Sequence, residues 1–326
     1  MPTAPSFARL GGGEVSFGPS AVAIGNFDGV HRGHQQVLAE AIDAARNAGL
    51  PMLVLTFDPH PAVVLGRPAP EALTALPRKA ELLARIGVDR VVVKTFDQAF
   101  ASLTPERFVE ELLVSALGAR VVVVGRNFRF GHKRAGDYAT LEAFGKKSGF
   151  DVRTFELRGD ERGPFSSTRA RDAIRRGDVG EAKHVLGRWH AFSGVVARGD
   201  QRGRTLGFPT ANVDEVAEIV PAHGVYAVVV DRLDGGARAL GRGVMNVGVR
   251  PTVAGADGPR RSQEVHLFDF DGDVYGASLR VHVVERLRDE RKFASLDELR
   301  AQIAADAANA RAITAPLAPN FGGAFG

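Results

Sequence analysis

Cysteine is absent from the 326-residue chain, so disulfides and thiolate chemistry are excluded, which fits a reducing compartment. Long apolar runs are absent as well: none approaches the roughly 20 residues that a membrane-spanning helix needs. Residues 1–13 lack a basic segment followed by an apolar core, so the expected setting is cytoplasmic, with no membrane partner. Charge of one sign is scarce, the net value being only +4. Arginines do gather in loops, at Arg169, Arg171, Arg175 and Arg176 and again at Arg198, Arg202 and Arg204. With one Trp, three Tyr, no zinc-finger spacing and no RNA-binding signature, those loops point to small phosphorylated ligands and not to nucleic acid. The remaining composition, 44% hydrophobic and 25% charged, suits two ordinary domains with their own cores.

What is present is organised around Gly25-Asn26-Phe27-Asp28-Gly29-Val30-His31-Arg32-Gly33-His34. Residues 21–24 form an apolar run of the kind that fills a parallel strand covered on both faces, and residues 35–48 have helical spacing through Val37, Leu38, Ala41, Ile42 and Ala45. The histidines therefore lie at a helix amino terminus, whose unpaired N–H groups and partial positive charge favour a phosphate. Gly25, Gly29 and Gly33 let a ligand approach the backbone, and His31 and His34 are spaced to face the same way. Zinc is a weaker reading, with no cysteine to help and only His60 as an obvious third ligand.

The pattern continues as alternating strands and helices. Strands are predicted at 52–57, 90–94, 120–124 and 152–157, with helices at 77–86, from Thr104-Pro105 to about 117, and at 138–148. Such alternation implies an α/β fold, a doubly wound parallel sheet whose ligands sit beyond the strands' carboxyl ends, where Gly25, Asp58 and Gly125 fall. Ser166-Ser167-Thr168 caps a short helix, and Asp178 caps another. From 190 onward short strands alternate with glycine-rich turns, at 190–197, 224–230, 243–247, 263–268 and 279–287. This predicts a small antiparallel β-barrel, closed by a C-terminal helix that starts at the Ser295/Glu298 capping box. The domains are placed at 1–187 and 188–326, and the tail from 315 is expected to fray.

Three constellations carry chemistry. The turn Gly125-Arg126-Asn127-Phe128-Arg129-Phe130-Gly131 follows a strand directly, which makes Asn127 a polar contact and Phe128 a platform for a planar ring, with Phe57 as a second. Core packing accounts for either phenylalanine equally well. At Ser166-Ser167-Thr168-Arg169, hydroxyls, a helix amino terminus and a guanidinium fork coincide, as a triphosphate clamp requires. In the second half, Gly199, Gly203 and Gly207 suit a loop folded over phosphates, though without a Walker motif, and run into Pro209-Thr210-Ala211-Asn212. Thr210 and Asn212 share a face of an extended segment and offer two oxygens to Mg²⁺, while Glu264, at a strand start, is placed to accept a proton from an attacking hydroxyl.

The His-x-Gly-His element resembles the signature of the nucleotidylyltransferase superfamily. Together with the Asn127–Phe128 turn and Ser-Ser-Thr-Arg it resembles the prokaryotic FAD synthetase (FMN adenylyltransferase) module. The Pro-Thr-Ala-Asn segment, Glu264, residues 245–252 and residues 288–293 resemble the riboflavin kinase family in content and order. In this order, from about 20 to 312, the two modules are similar to the bifunctional bacterial riboflavin kinase/FAD synthetases. Phe165 and Ala170 depart from the isoleucines usual there, and Arg126 from an acidic or small residue; no proposed functional group is lost.

The resemblance implies riboflavin, FMN and ATP as substrates with Mg²⁺, and leaves room for a homo-oligomer. It makes His31, His34, Arg169 and Glu264 catalytic, and Thr210 and Asn212 the metal pair. Gly25, Phe27, Asp28, Gly33, Phe57, Asn127, Phe128, Ser167, Thr168, Gly203, Gly207 and Arg291 then bind nucleotide or flavin. The rival readings are a riboflavin kinase alone, with an inactive flavin-binding first domain, and a basic nucleic-acid-binding protein.

Overall fold

The structure is a computed structural model in which residues 6–10, 17–156, 158–198, 208–250 and 260–317 are described. It comprises two compact units, Met1–Pro70 with Leu76–Phe165, and Glu71–Ala75 with Ser166–Gly326. This division by compactness falls earlier in the chain than residue 187, so the helices after Phe165 pack with the second unit.

The first unit is built on β1 (Ser6–Leu10), β2 (Ser20–Ile24), β3 (Met52–Asp58), β4 (Arg90–Thr95), β5 (Ala119–Gly125) and β6 (Asp151–Phe155). All neighbouring strands run parallel, in the order β1-β4-β3-β2-β5-β6. The sequence reading found the inner strands because β2 is buried at every position and β3 and β5 nearly so, as a sheet covered on both faces demands. It did not find β1, an edge strand whose pairing with β4 is a tertiary event. Helices connect the strands: α1 (Arg32–Asn47), α2 (Pro61–Val64), α3 (Leu76–Ile86), α4 (Gln98–Ala101), α5 (Pro105–Arg107) and α6 (Tyr138–Ser148). The helix expected from Thr104 to 117 exists, but from Phe108 to Ala116 its hydrogen bonds have the wider π spacing. Strand order turns at β2, with β3 on one side and β5 on the other, which opens a crevice beyond their carboxyl ends.

The second unit begins with α7 (Ser167–Arg175) and α8 (Val179–Leu186), which pack on each other. Between the sheet and these helices, and within the first unit, lies a two-residue pair, β7 (Gly159–Asp160) with β8 (Gly163–Pro164). Then β9 (Ala191–Ala197), β10 (Ala211–Asp214), β11 (Gly224–Arg232), β12 (Arg238–Arg250), β13 (Arg260–Leu267) and β14 (Ser278–Arg288) close an antiparallel barrel in the order β10-β13-β12-β11-β14-β9. Its interior holds Phe192, Val213, Tyr226, Val228, Met245, Val265, Leu279 and Val281. Tyr226 donates its buried hydroxyl to the Ala222 carbonyl at 2.6 Å, so no polar atom of that ring is stranded. The expected strand at 243–247 is longer, and the Ala-Asn end of the Pro-Thr-Ala-Asn segment opens β10 through its pairing with β9 and β13.

The C-terminal helix, Leu296–Thr314, starts where the capping box predicts: Ser295 accepts from Glu298 N–H at 3.2 Å, and Glu298 accepts from Ala294 N–H at 3.1 Å. Its Asp306 accepts two bonds from Arg288 of β14, at 2.8 Å from Nη2 and 3.0 Å from Nε, with the carboxylate 4% exposed. The expected fraying of the tail concerns residues largely beyond 317, outside the described ones. Asp306→Ala would leave Arg288 half-buried without its carboxylate, and a loss of about 3 kcal/mol is expected for the second unit. Denaturant unfolding of the two proteins measures it, and equal midpoints would remove this pair from the account of how the helix is held.

Candidate functional site

In the first unit the site grows from the start of α1. The helix begins at Arg32, earlier than its apolar spacing indicates, because His31 is its N-cap and accepts from His34 N–H through Nδ1 at 3.3 Å. That bond puts the His31 ring proton on Nε2, assigned here from the hydrogen-bond geometry. The rings of His31 and His34 stack with centroids 3.6 Å apart and 23° between planes, so the two histidines do share one side of the first turn. Phe27 closes on His34 edge-on at 5.1 Å. The loop is bent to do this: Phe27 and Val30 have φ of 46° and 41°, in the left-handed region that a β-branched residue rarely enters. Gly33 is required for a different reason, since a Cβ there would stand 2.9 Å from the Phe165 carbonyl oxygen.

Electrostatically the site disfavours charge on His34. Burial holds His34 well below the ordinary imidazole value, with the neighbouring His31 and Lys79 adding to the effect. His34 Nδ1 is buried without a hydrogen-bond partner among the described residues. Asp28 is buried in the same loop. Lys79, which the sequence reading passed over, is buried on α3, and burial lowers its pKa against the pull of Asp28 and Asp58. The available signal was a charged residue inside the apolar stripe formed with Ala80, Leu82 and Leu83.

The crevice beside this loop is a cavity of about 700 Å³. It brings together Gly25, Phe57, Asn127 and Phe128, as expected, and adds Phe96, Phe100, Phe108 and Phe130. Phe128 stacks on Phe130 with centroids 5.5 Å apart and 14° between planes, and Phe57 meets Phe96 edge-on at 5.7 Å. Phe57 and Phe128 also pack against the sheet's core, so each serves the core and the cavity at once. Among the described residues no carboxylate lines the cavity, whereas Arg67, Lys133 and Arg134 do, which suits a planar aromatic ligand bearing negative charge. His60, considered above for zinc, caps α2 through Nδ1 and hydrogen-bonds the Asn26 amide through Nε2 at 3.0 Å.

Ser167, Thr168 and Arg169 belong to the second unit. The cap of α7 is Ser166, which accepts from Arg169 N–H at 3.2 Å, so Ser167 and Thr168 occupy the first turn. Arg169 donates through Nε to Glu181 of α8 at 2.7 Å, both side chains being mostly buried. The carboxylate of Glu181 was not foreseen, because only the packing of α7 on α8 brings it there.

On the barrel, period-two alternation sends Val213, Met245 and Val265 inward and leaves Asn212, Asn246 and Glu264 on the outer face. Register sets them three abreast, Glu264 opposite Asn212 on β10 and opposite Asn246 on β12. Glu290 reaches the same patch: a Cβ on Gly248 would lie 2.6 Å from its Oε1 and 3.2 Å from Asn246 Nδ2. The Pro209 carbonyl hydrogen-bonds His266 Nδ1 at 2.9 Å, which ties the segment bearing Thr210 to β13. Hydroxyl, carboxamide and carboxylate oxygens are the donors a hard divalent cation takes. Arg291 turns toward the C-terminal helix, donating to Gln302 at 2.6 Å and stacking on Phe293. Gly203 and Gly207 lie outside the described residues.

A family profile described as FAD synthetase matches residues 15–169, and one described as riboflavin kinase matches residues 186–314. The chain is 43% identical over 291 residues to the bifunctional riboflavin kinase/FMN adenylyltransferase of Escherichia coli K12, covering 89% of this chain and 91% of that protein. It is 44% identical to the protein of the same name from Pseudomonas fluorescens, covering 90% and 93%. A crystal structure named as a macrolide-efflux protein from Streptococcus pneumoniae superposes with a TM-score of 0.77 at 34% identity, covering 89% and 92%. Among the described residues no helix is long and apolar enough to cross a membrane.

His34 makes stability pH-dependent. Between its lowered folded value and the ordinary 6.5, the unfolded chain binds a proton that the folded chain does not, so stability falls as pH drops through that window. His34→Asn should lose less thermal stability than the parent chain between pH 7.5 and 5.5, values bracketing about 6.5. Parallel melting curves for the two proteins would contradict this account of His34.

Proposed function

The chain belongs to the bifunctional riboflavin kinase/FMN adenylyltransferase family, and we propose that it phosphorylates riboflavin with ATP to give FMN and then adenylylates FMN with a second ATP, giving FAD and pyrophosphate. We assign adenylyl transfer to residues 1–187 and phosphoryl transfer to 188–326. The observation that carries the first assignment is the stacked His31–His34 pair at the amino terminus of α1, beside an aromatic cavity with a basic rim. There the helix start binds phosphate and the imidazoles donate hydrogen bonds to the charge that grows as pyrophosphate leaves. Gly25, Phe27, Asp28 and Gly33 shape that phosphate pocket, and Asn127, Phe57 and Phe128 hold the flavin. Ser167, Thr168 and Arg169 serve ATP in the same reaction, with Glu181 orienting the guanidinium.

The second assignment rests on Asn212, Asn246 and Glu264 lying side by side on the barrel's outer face. Glu264 accepts the proton of the ribityl hydroxyl as it attacks the γ-phosphate. Both activities use ATP, as enzymes that take a divalent metal do, and Mg²⁺ is the cation we assign. Thr210 and Asn212 would hold it, and when bound it neutralises phosphate charge. Gly203 and Gly207 are assigned to nucleotide binding, and Arg291 contributes to it from the segment before the C-terminal helix. Riboflavin, FMN and ATP are the partners, with no nucleic acid or membrane, and the enzyme is cytoplasmic. The kinase-only reading is not favoured, because both family profiles match.

Purified protein with riboflavin, ATP and Mg²⁺, sampled over time and separated chromatographically, should yield FMN first and FAD later. FMN that accumulates without FAD would return the kinase-only reading. Replacing His31 and His34 with Ala should cut FAD formation by about 100-fold and spare FMN formation. Glu264→Gln should do the reverse, by about 100-fold. Equal loss of both products in either variant would sink the division of labour.

A further inference from the structure

Lysine is seldom buried without a partner, because removing an ammonium from water is costly unless an anion compensates it. Lys79 is 9% exposed: its stem is buried, while its ammonium, which no hydrogen bond or ion pair holds among the described residues, keeps contact with solvent. Its position is not arbitrary. It lies on α3, which packs against α1, and the charges acting on it come from the carboxyl ends of two parallel strands: Asp28 after β2 and Asp58 at the end of β3. It acts in turn on His34 in the first turn of α1. Asp58 is engaged by Arg9 of β1 at 3.2 Å, and on α3 itself Arg78 pairs with Glu81 at 2.8 Å, so neither of these pairs takes up Lys79. Two of the groups it senses, Asp28 and His34, belong to the loop and first turn that begin α1.

We infer that Lys79 is a further catalytic residue of adenylyl transfer, its ammonium binding the phosphate chain of ATP beside His31 and His34. This rests on the adenylyltransferase reading above. In that reaction an FMN phosphate oxygen forms a bond to the α-phosphorus while the bond from that phosphorus to the bridging oxygen breaks, and pyrophosphate departs with the electron pair. Lys79 transfers no proton in the step; it supplies full positive charge beside His34, whose burial disfavours one. The ammonium without a contact partner at the end of a buried stem is then a resting state that the nucleotide completes.

The test compares the parent chain with Lys79→Met and Lys79→Arg, measuring FMN formation from riboflavin and FAD formation from FMN on the same preparations across pH. Lys79→Met should lower FAD formation by about 100-fold, with the loss mainly in kcat/KM for ATP, and leave FMN formation unchanged. Lys79→Arg should restore much of the activity. Because burial lowers the pKa of Lys79 from the ordinary 10.5, the parent should lose FAD formation on the alkaline side earlier than an ordinary lysine would, and the arginine variant should hold its activity to higher pH. Methionine within threefold of the parent overturns the inference and leaves the adenylyltransferase reading standing. Equal loss in methionine and arginine variants, with the alkaline limb unmoved, also overturns it, since only the shape of the lysine would then matter. A parent chain that makes no FAD from FMN overturns the underlying reading itself.

Discussion

Where α1 begins decides what the first unit can bind. A helix start carries unpaired N–H groups whatever its sequence, but here the residue that caps it is also a functional candidate. His31 spends one ring nitrogen on the His34 main chain, which fixes the ring proton on the other nitrogen and seats the second imidazole face to face with the first. The left-handed backbone at Phe27 and Val30 and the missing side chain at Gly33 are consequences of folding a loop tightly enough to permit that stack. Move the helix start by one residue and the capping bond, the stack and the cavity's edge at Gly25 would all be lost together.

The barrel solves a different problem by a simpler device. Its outer face inherits its chemistry from the alternation that fills its interior: each valine or methionine sent inward leaves a polar neighbour outward. Register then does what sequence spacing cannot, by setting Glu264 opposite Asn212 on one side and Asn246 on the other. A slip of one residue in β13 would exchange Glu264 with Val265, exposing core and burying charge, so the same energetics that hold the barrel hold the candidate base in place.

Buried charge recurs at the places that matter. Arg169 with Glu181, and Arg288 with Asp306, are compensated pairs that orient a guanidinium and anchor a helix. Lys79 has Asp28 and Asp58 as electrostatic neighbours without a contact pair. A compensated pair costs little to keep and is costly to break, whereas an uncompensated ammonium is stabilised most when a ligand brings the missing anion.

Much of this was legible in the linear chain. Apolar runs of the right length announced the inner strands, and helical spacing, N-caps and the Ser295/Glu298 capping box announced most helices. Short motifs named His31, His34, Asn127, Phe128, Arg169, Thr210, Asn212 and Glu264, because glycine-rich turns after strands and hydroxyl clusters before helices are local features. What local features cannot carry is partnership. The edge strand β1, the pairing that makes a strand of residues 211–214, and the approach of Glu181 to Arg169 each depend on a segment distant in sequence. The early start of α1 comes from the His31 cap, which apolar spacing does not register, nor does it register the π-spaced turn before β5. Lys79 belongs to an amphipathic helix in the linear chain, and only the fold buries its stem and sets it near Asp28, Asp58 and His34.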